Sequence, residues 1–127
     1  MEMPATKIKS FEELYVFQEA LRLTNEVYRI TRRGSFARDY GLAGQMRRSA
    51  VSILSNIAEG FERETTPELI RGLYVAKGSC EELRAQLLVA REQKYISLSE
   101  HEELRASCRK ISPGLYQMIS RLRRRSR

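Results

Sequence analysis

The sequence predicts an all-α fold, an up-down-up-down antiparallel four-helix bundle, and three observations carry the prediction. Apolar residues recur at intervals of three and four through four separate segments. Capping signals and glycine-containing connections stand between those segments. No stretch alternates apolar and polar residues as a half-buried strand would. A chain of 127 residues is one domain's worth. Residues 1–120 are expected to form a single bundle with helices near 10–31, 42–61, 66–94 and 99–122, followed by a basic C-terminal tail at 121–127.

The first helix is predicted to begin at Ser10, with Glu13 completing a capping box before the apolar run. Phe11, Leu14, Gln18, Leu21, Asn25 and Tyr28 repeat at helical spacing, and Leu23, Val27 and Ile30 widen the stripe. Residues 34–41 lack periodicity and read as a loop. The second helix, about Leu42 to Phe61, carries two stripes at once. Leu42, Met46, Ile53 and Ile57 are apolar, whereas Arg48, Ser52, Asn56, Glu59 and Arg63 form a polar ladder. Small residues (Ser49, Ala50, Ser55, Ala58, Gly60) crowd the same segment, so a neighbouring backbone can approach it closely, as on an interface helix.

Thr66-Pro67 is a helix start, because proline at the first helical position lacks an amide that would be unpaired anyway. The third helix carries Leu69, Leu73, Ala76, Cys80, Leu83, Leu87 and Ala90, with Ser79, Glu82 and Gln86 as a polar triplet facing the ladder. Ser99 with Glu102 gives another capping box, and Leu104, Cys108, Ile111, Leu115, Met118 and Leu122 mark the fourth helix. Pro113-Gly114 is expected to kink or briefly break it, since an interior proline costs about 3 kcal/mol.

The formal charge is +7, and the last seven residues hold five arginines: Arg121, Arg123, Arg124, Arg125 and Arg127. A smaller cluster is Arg29, Arg32, Arg33 and Arg38. Arginine outnumbers lysine eighteen to five, and its planar fork suits phosphate, although genomic base composition produces the same bias. The sequence contains no long apolar run, and the N-terminus lacks the apolar core of a secretory signal, so a cytoplasmic protein without membrane contact is expected. Cys80 and Cys108 have no metal-ligand spacing and read as two small buried thiols.

Catalysis is not indicated. His101, the only histidine, stands between Glu100 and Glu102 and reads as an exposed first-turn residue. Glu59, Glu81 and Glu82 lack the Glu-x-x-His pairs of di-iron bundles, and Gly41-Leu42-Ala43-Gly44 lacks the Lys-Ser/Thr of a phosphate loop. No metal or cofactor is expected.

The segments FEELYVFQEAL, QMRRSAVSILSNIAEGFER and LYVAKGSCEELRAQLLVA together resemble the four-helix bundle family named for proteins encoded in 23S rRNA intervening sequences, over about residues 11–120. The resemblance implies a ring-forming bundle, typically a pentamer, without established catalysis. A related branch resembles accessory proteins of diversity-generating retroelements, which implies nucleic acid and a reverse transcriptase as partners. The motif positions here are Arg47, Arg48, Ser52, Asn56, Glu59, Gly60, Ser79, Glu82 and Gln86, for which the family supplies no chemistry. Leu54 stands where the family commonly has proline, and Pro113-Gly114 interrupts a helix that is usually more regular.

Two readings of the ladder stand side by side: mutual satisfaction of Arg48, Asn56, Glu59 and Arg63 with the triplet, fixing register or subunit orientation, and a ligand-binding channel. The arginine tail reads as a solubilising end or as a phosphate-binding arm. The leading expectation is a non-enzymatic, ring-forming adaptor that binds RNA or DNA without sequence specificity, through Arg121 to Arg127 and the Arg29 to Arg38 cluster. The alternative is a protein-protein interaction module with no nucleic-acid role.

Overall fold

The computed structural model describes residues 10–125. Among them are five helices and no strand: α1 (Tyr15–Thr31), α2 (Gly34–Arg38), α3 (Tyr40–Phe61), α4 (Thr66–Glu92) and α5 (Leu98–Arg125). The four long helices form a closed circuit of contacts, α1 on α3, α3 on α4, α4 on α5 and α5 back on α1. Each therefore buries one broad stripe between two neighbours, and those stripes meet in a single core.

The first helix starts later than its capping signal predicts. Ser10 makes no cap hydrogen bond; a single 3-10 turn, Phe11–Glu13, follows it, and extended Leu14 precedes α1. The buried face is also displaced. Val16, Ala20, Leu23, Val27 and Ile30 are in the core, whereas Gln18, Leu21 and Asn25 of the expected main stripe are exposed. Two polar residues on that stripe made it the weaker face, and burial went to the residues that seemed only to widen it.

Residues 34–41 are not a loop. Gly34, at φ +42°, turns the chain into α2, whose Phe36 is buried and stacks on Tyr95 with ring centroids 4.7 Å apart. Asp39 then caps α3: its Oδ1 accepts from the Leu42 amide at 3.1 Å, and its Oδ2 accepts from the Tyr95 hydroxyl at 2.9 Å. Tertiary stacking organises five residues that have too little periodicity to be read as a helix.

α4 is capped by Thr65, one residue before the expected start, with Thr65 Oγ1 accepting from the Glu68 amide at 3.3 Å and proline in the first turn. At its other end Lys94 takes the left-handed conformation, φ 63°, so that the Tyr95 amide reaches the Ala90 carbonyl at 3.0 Å. The capping box of α5 is Ser97 with Glu100, not Ser99 with Glu102: the Glu100 amide donates to Ser97 Oγ and the Ser97 amide to Glu100 Oε1, each at 3.0 Å.

α5 runs unbroken through Pro113, so the expected break is absent. Gly114 beside it allows α1 to come close, since a Cβ there would lie 2.7 Å from Val16 Cγ1. The helix continues to Arg125, so Arg121 to Arg125 lie on its last turns and not in a separate tail; Arg127 is outside the described residues. No helix among the described residues is long and apolar enough to cross a membrane.

Candidate functional site

The ladder of α3 meets the triplet of α4 along their shared seam. Ser52 Oγ and Ser79 Oγ lie 2.8 Å apart, and Asn56 Nδ2 donates to the Ser52 carbonyl at 2.8 Å and to Ser52 Oγ at 3.0 Å. Glu59 and Arg63 pair at 3.4 Å on the exposed end of the ladder. The seam closes further on because two glycines face each other: a Cβ on Gly72 would lie 2.9 Å from Gly60 Cα and 2.9 Å from the Asn56 carbonyl oxygen. Gly60 was legible as a small residue on an interface helix; its partner Gly72 was not.

A cavity of about 220 Å³ opens on this seam, lined by Gln45, Arg48, Ser49, Ser52, Glu82 and Gln86. It gathers Arg48, Glu82 and Gln86 without joining them by hydrogen bonds, and Gln86 Oε1 is buried without a partner among the described residues. Arg47 belongs elsewhere. Its Nε donates to Thr31 Oγ1 at 2.8 Å and its guanidinium lies 4.7 Å from the Tyr28 ring centroid, so it fastens α3 to α1.

The Arg29 to Arg38 cluster is largely spent on the fold. Arg29 pairs with Glu26 at 2.8 Å, and Arg32 lies 5.8 Å from the Tyr28 ring centroid. Arg33 grips Glu100 with both terminal nitrogens, at 2.6 and 3.0 Å, and donates to the Tyr95 carbonyl at 3.3 Å. That fork, with the Ser97 amide, holds the Glu100 carboxyl down at about 2. Only Arg38 projects without a partner among the described residues.

At the opposite end, Arg121, Arg123, Arg124 and Arg125 are all exposed on α5. Arg123 lies over Tyr74, 5.1 Å from its centroid. Arg121 and Arg125 flank an apolar pocket of about 390 Å³ formed by Leu14, Val16, Phe61, Leu69, Met118 and Leu122 among others.

A third arginine group lies between α4 and α5, where sequence reasoning placed nothing. Arg84, Arg91, Arg105 and Arg109 line a cleft of about 800 Å³ with His101. His101 is not an exposed first-turn residue: it is 5% exposed, and burial, then Arg91, pushes its imidazole below the ordinary value. Spacing offered a signal, since Arg84 and Arg91 are two turns apart and Arg105 and Arg109 one turn apart, but two helices had to be paired before it meant anything. Deeper in the same seam the free thiols Cys80 and Cys108 adjoin, Cys80 Sγ lying 3.4 Å from the Cys108 carbonyl oxygen. Its hydrogen bond with Cys80 and its burial keep the Cys108 thiol protonated.

With this arrangement in hand, comparison with known proteins is decisive for kinship. The sequence model of the 23S rRNA-intervening sequence proteins matches residues 12–117. The chain belongs to this family. Among solved structures it is similar to a protein of unknown function from the S23 ribosomal protein family of Bacteroides thetaiotaomicron, with a TM-score of 0.77 at 20% identity, covering 83% of this chain and 95% of that one. That likeness supports the all-helical fold. No curated protein matches the chain.

Among the described residues no group of three or more His, Cys, Asp or Glu is placed to hold a metal. What the surface offers is guanidinium groups: a rigid row at the end of α5 and a walled cleft between α4 and α5. Both present forked N–H donors to an anion.

Proposed function

We propose that this protein is a non-catalytic, self-associating adaptor that binds nucleic acid through phosphate contacts, built as an up-down-up-down antiparallel four-helix bundle whose last helix bends at Pro113. The circuit of helix contacts and the short connections at 62–65 and 93–97 support that topology. The observation that carries the binding function is the row Arg121, Arg123, Arg124 and Arg125, exposed on the last turns of α5 and without a carboxylate partner among the described residues. A helix holds these charges at fixed spacing, so ordering them on a phosphate backbone costs less entropy than ordering a flexible tail.

Self-association is supported by apolar side chains left in water. Val75 and Val89 are 44% and 47% exposed on one face of α4, and Val51 is 39% exposed on α3. A second copy covering them would remove that surface from water, and several copies in a ring would multiply the phosphate contacts. The pentamer implied by the family resemblance is one such assembly.

The test is binding of labelled single-stranded RNA and duplex DNA across a salt series. Each phosphate neutralised contributes a log-log slope of about −0.7 on a single strand and about −0.9 on a duplex. Replacing Arg121, Arg123, Arg124 and Arg125 together by alanine should flatten the single-strand slope by up to about 2.8 per subunit while leaving half-buried Leu122 in place. Wild-type protein that binds neither nucleic acid at low salt overturns the proposal and leaves a protein partner as the object of the adaptor.

A further inference from the structure

The cleft between α4 and α5 is lined from both helices, and its residues combine three features. Arg84 and Arg91 stand on the α4 wall, about 10 Å apart along the axis, and Arg105 and Arg109 stand on the α5 wall, about 6 Å apart. Leu88, 46% exposed, lies between the two α4 arginines and gives the trough an apolar strip. His101, at one turn before Arg105, is 5% exposed and its Nε2 has no hydrogen-bond partner among the described residues.

The orphaned imidazole nitrogen is the informative feature. A buried polar atom is normally paired, and Nε2, which has almost no accessible surface, would meet a ligand atom in the cleft that His101 lines only after a small side-chain movement uncovers it. Two carboxylates share the cleft, and both are already engaged. Glu81 accepts from Ser112 Oγ at 2.6 Å and pairs with Arg84 at 3.5 Å and Lys77 at 3.8 Å, and Glu102 pairs with Arg105 at 3.1 Å. Arg91 pairs with Glu92 at 2.9 Å, and Arg109 is exposed with no partner among the described residues. Three of the four guanidinium groups are paired, with Glu81, Glu92 and Glu102, so the excess positive charge of the trough comes from Arg109, which has no carboxylate partner among the described residues.

We infer that this cleft takes the sugar-phosphate backbone of a single nucleic-acid strand, with arginine forks from both walls on successive phosphates, the His101 ring on a phosphate oxygen and Leu88 against a sugar or base. The inference rests on the nucleic-acid reading above and gives it a second surface. The lining comes from two packed helices, so an extended single strand can follow the trough with one helix on each side of it. Arginine rather than lysine lines it, as suits bidentate phosphate contacts.

Because His101 is the only histidine of the chain, its imidazole Hε1 signal can be followed by NMR without ambiguity between histidines. The experiment titrates wild-type protein with an oligouridine and, separately, with inorganic phosphate, following that signal, and measures oligouridine affinity across salt for wild type, for Arg84→Ala with Arg109→Ala, and for the fourfold α5-end variant. The expected result is a shift of the His101 signal with oligouridine and a salt slope flattened by about 1.4 in the double variant, the value of two single-strand contacts. If oligouridine binds but the His101 signal stays still and the double variant matches wild type, the cleft assignment is overturned while the proposed function survives on the α5 end. If phosphate moves the signal and oligouridine does not bind, the cleft is a small-anion site and its assignment to a strand is overturned, while the proposed function is decided separately by duplex DNA. Binding of neither probe overturns the cleft assignment as well. The wild-type titration decides the matter even if the double variant folds poorly.

Discussion

Alanine in place of glycine has opposite expected effects at different points of the same helix. Inside a helix the exchange is worth about 0.8–1 kcal/mol in favour of alanine. At Gly78 of α4 an added Cβ meets nothing within 4 Å, so Gly78→Ala should raise stability by up to about 1 kcal/mol. At Gly72, six residues earlier, it would lie 2.9 Å from Gly60 Cα, 2.9 Å from the Asn56 carbonyl oxygen and 3.3 Å from the Gly60 nitrogen. All three are backbone atoms of α3, which no rotamer change can move aside. Ordinary contact begins near 3.4 Å, so the two helices must separate by about half an ångström at their tightest point. Overpacking of that kind costs about 1–3 kcal/mol, and after the propensity gain Gly72→Ala should be net destabilising by about 0–2 kcal/mol, against a gain at Gly78. Gly114→Ala should be destabilising as well, because its clash at 2.7 Å is with Cγ1 of Val16, a buried β-branched side chain with little rotamer freedom on a helix. Urea and thermal unfolding followed by circular dichroism, at a concentration where the chain is monomeric, give the comparison. For a chain of this size 1 kcal/mol is about 4 °C in Tm. If Gly72→Ala is as stable as Gly78→Ala, the α3-α4 contact is not set by the glycine pair and the reasoning fails.

Ile57→Ala, removing a side chain with no exposed surface, should cost about 2–5 kcal/mol in urea unfolding; a loss below about 0.5 kcal/mol would place the residue outside the core. The Glu100 carboxyl is held at about 2 against an ordinary 4.5, so the stability it contributes is complete above 4.5 and is lost as pH falls towards 2. Glu100→Gln should cost about 1.5–3 kcal/mol at neutral pH and shrink that acid limb, and an unchanged acid titration of stability would count against the Arg33 fork. Lys94→Gly relieves a left-handed residue at the end of α4 and should stabilise by up to about 1 kcal/mol; destabilisation would show that the lysine side chain holds that turn. Light scattering of the wild type should give a mass above the 14.8 kDa of one chain at micromolar concentration, and Asn56→Leu, which removes two hydrogen bonds to Ser52, should lower that mass with helical content intact. A monomer in both cases would reduce the polar seam to an internal feature of one subunit.

Helical periodicity alone settled the class of this protein. The pattern Leu73, Ala76, Cys80, Leu83, Leu87, Ala90 could form only one buried stripe, and all six residues are buried. Ser52 and Ser79 were legible as residues of facing stripes because short polar groups at helical spacing need partners when covered. Local signals failed where two answers were locally equal. Ser97 with Glu100 and Ser99 with Glu102 are both capping boxes in sequence, and the choice fell to Ser97 because Glu100 is also the carboxylate that Arg33, on a different helix, can reach. On α1, Leu21 and Leu23 are equally apolar, and only the positions of α3 and α5 decided that Leu23 would be buried. The arginines divide in the same way. Arg33 and Arg109 are the same residue type, yet one is fastened to a carboxylate 67 residues away and the other stands open in a cleft. Composition determined that this chain carries an excess of positive charge; which charges the fold consumes and which it leaves for a partner depended on distances between helices, and those exist only once the core has packed.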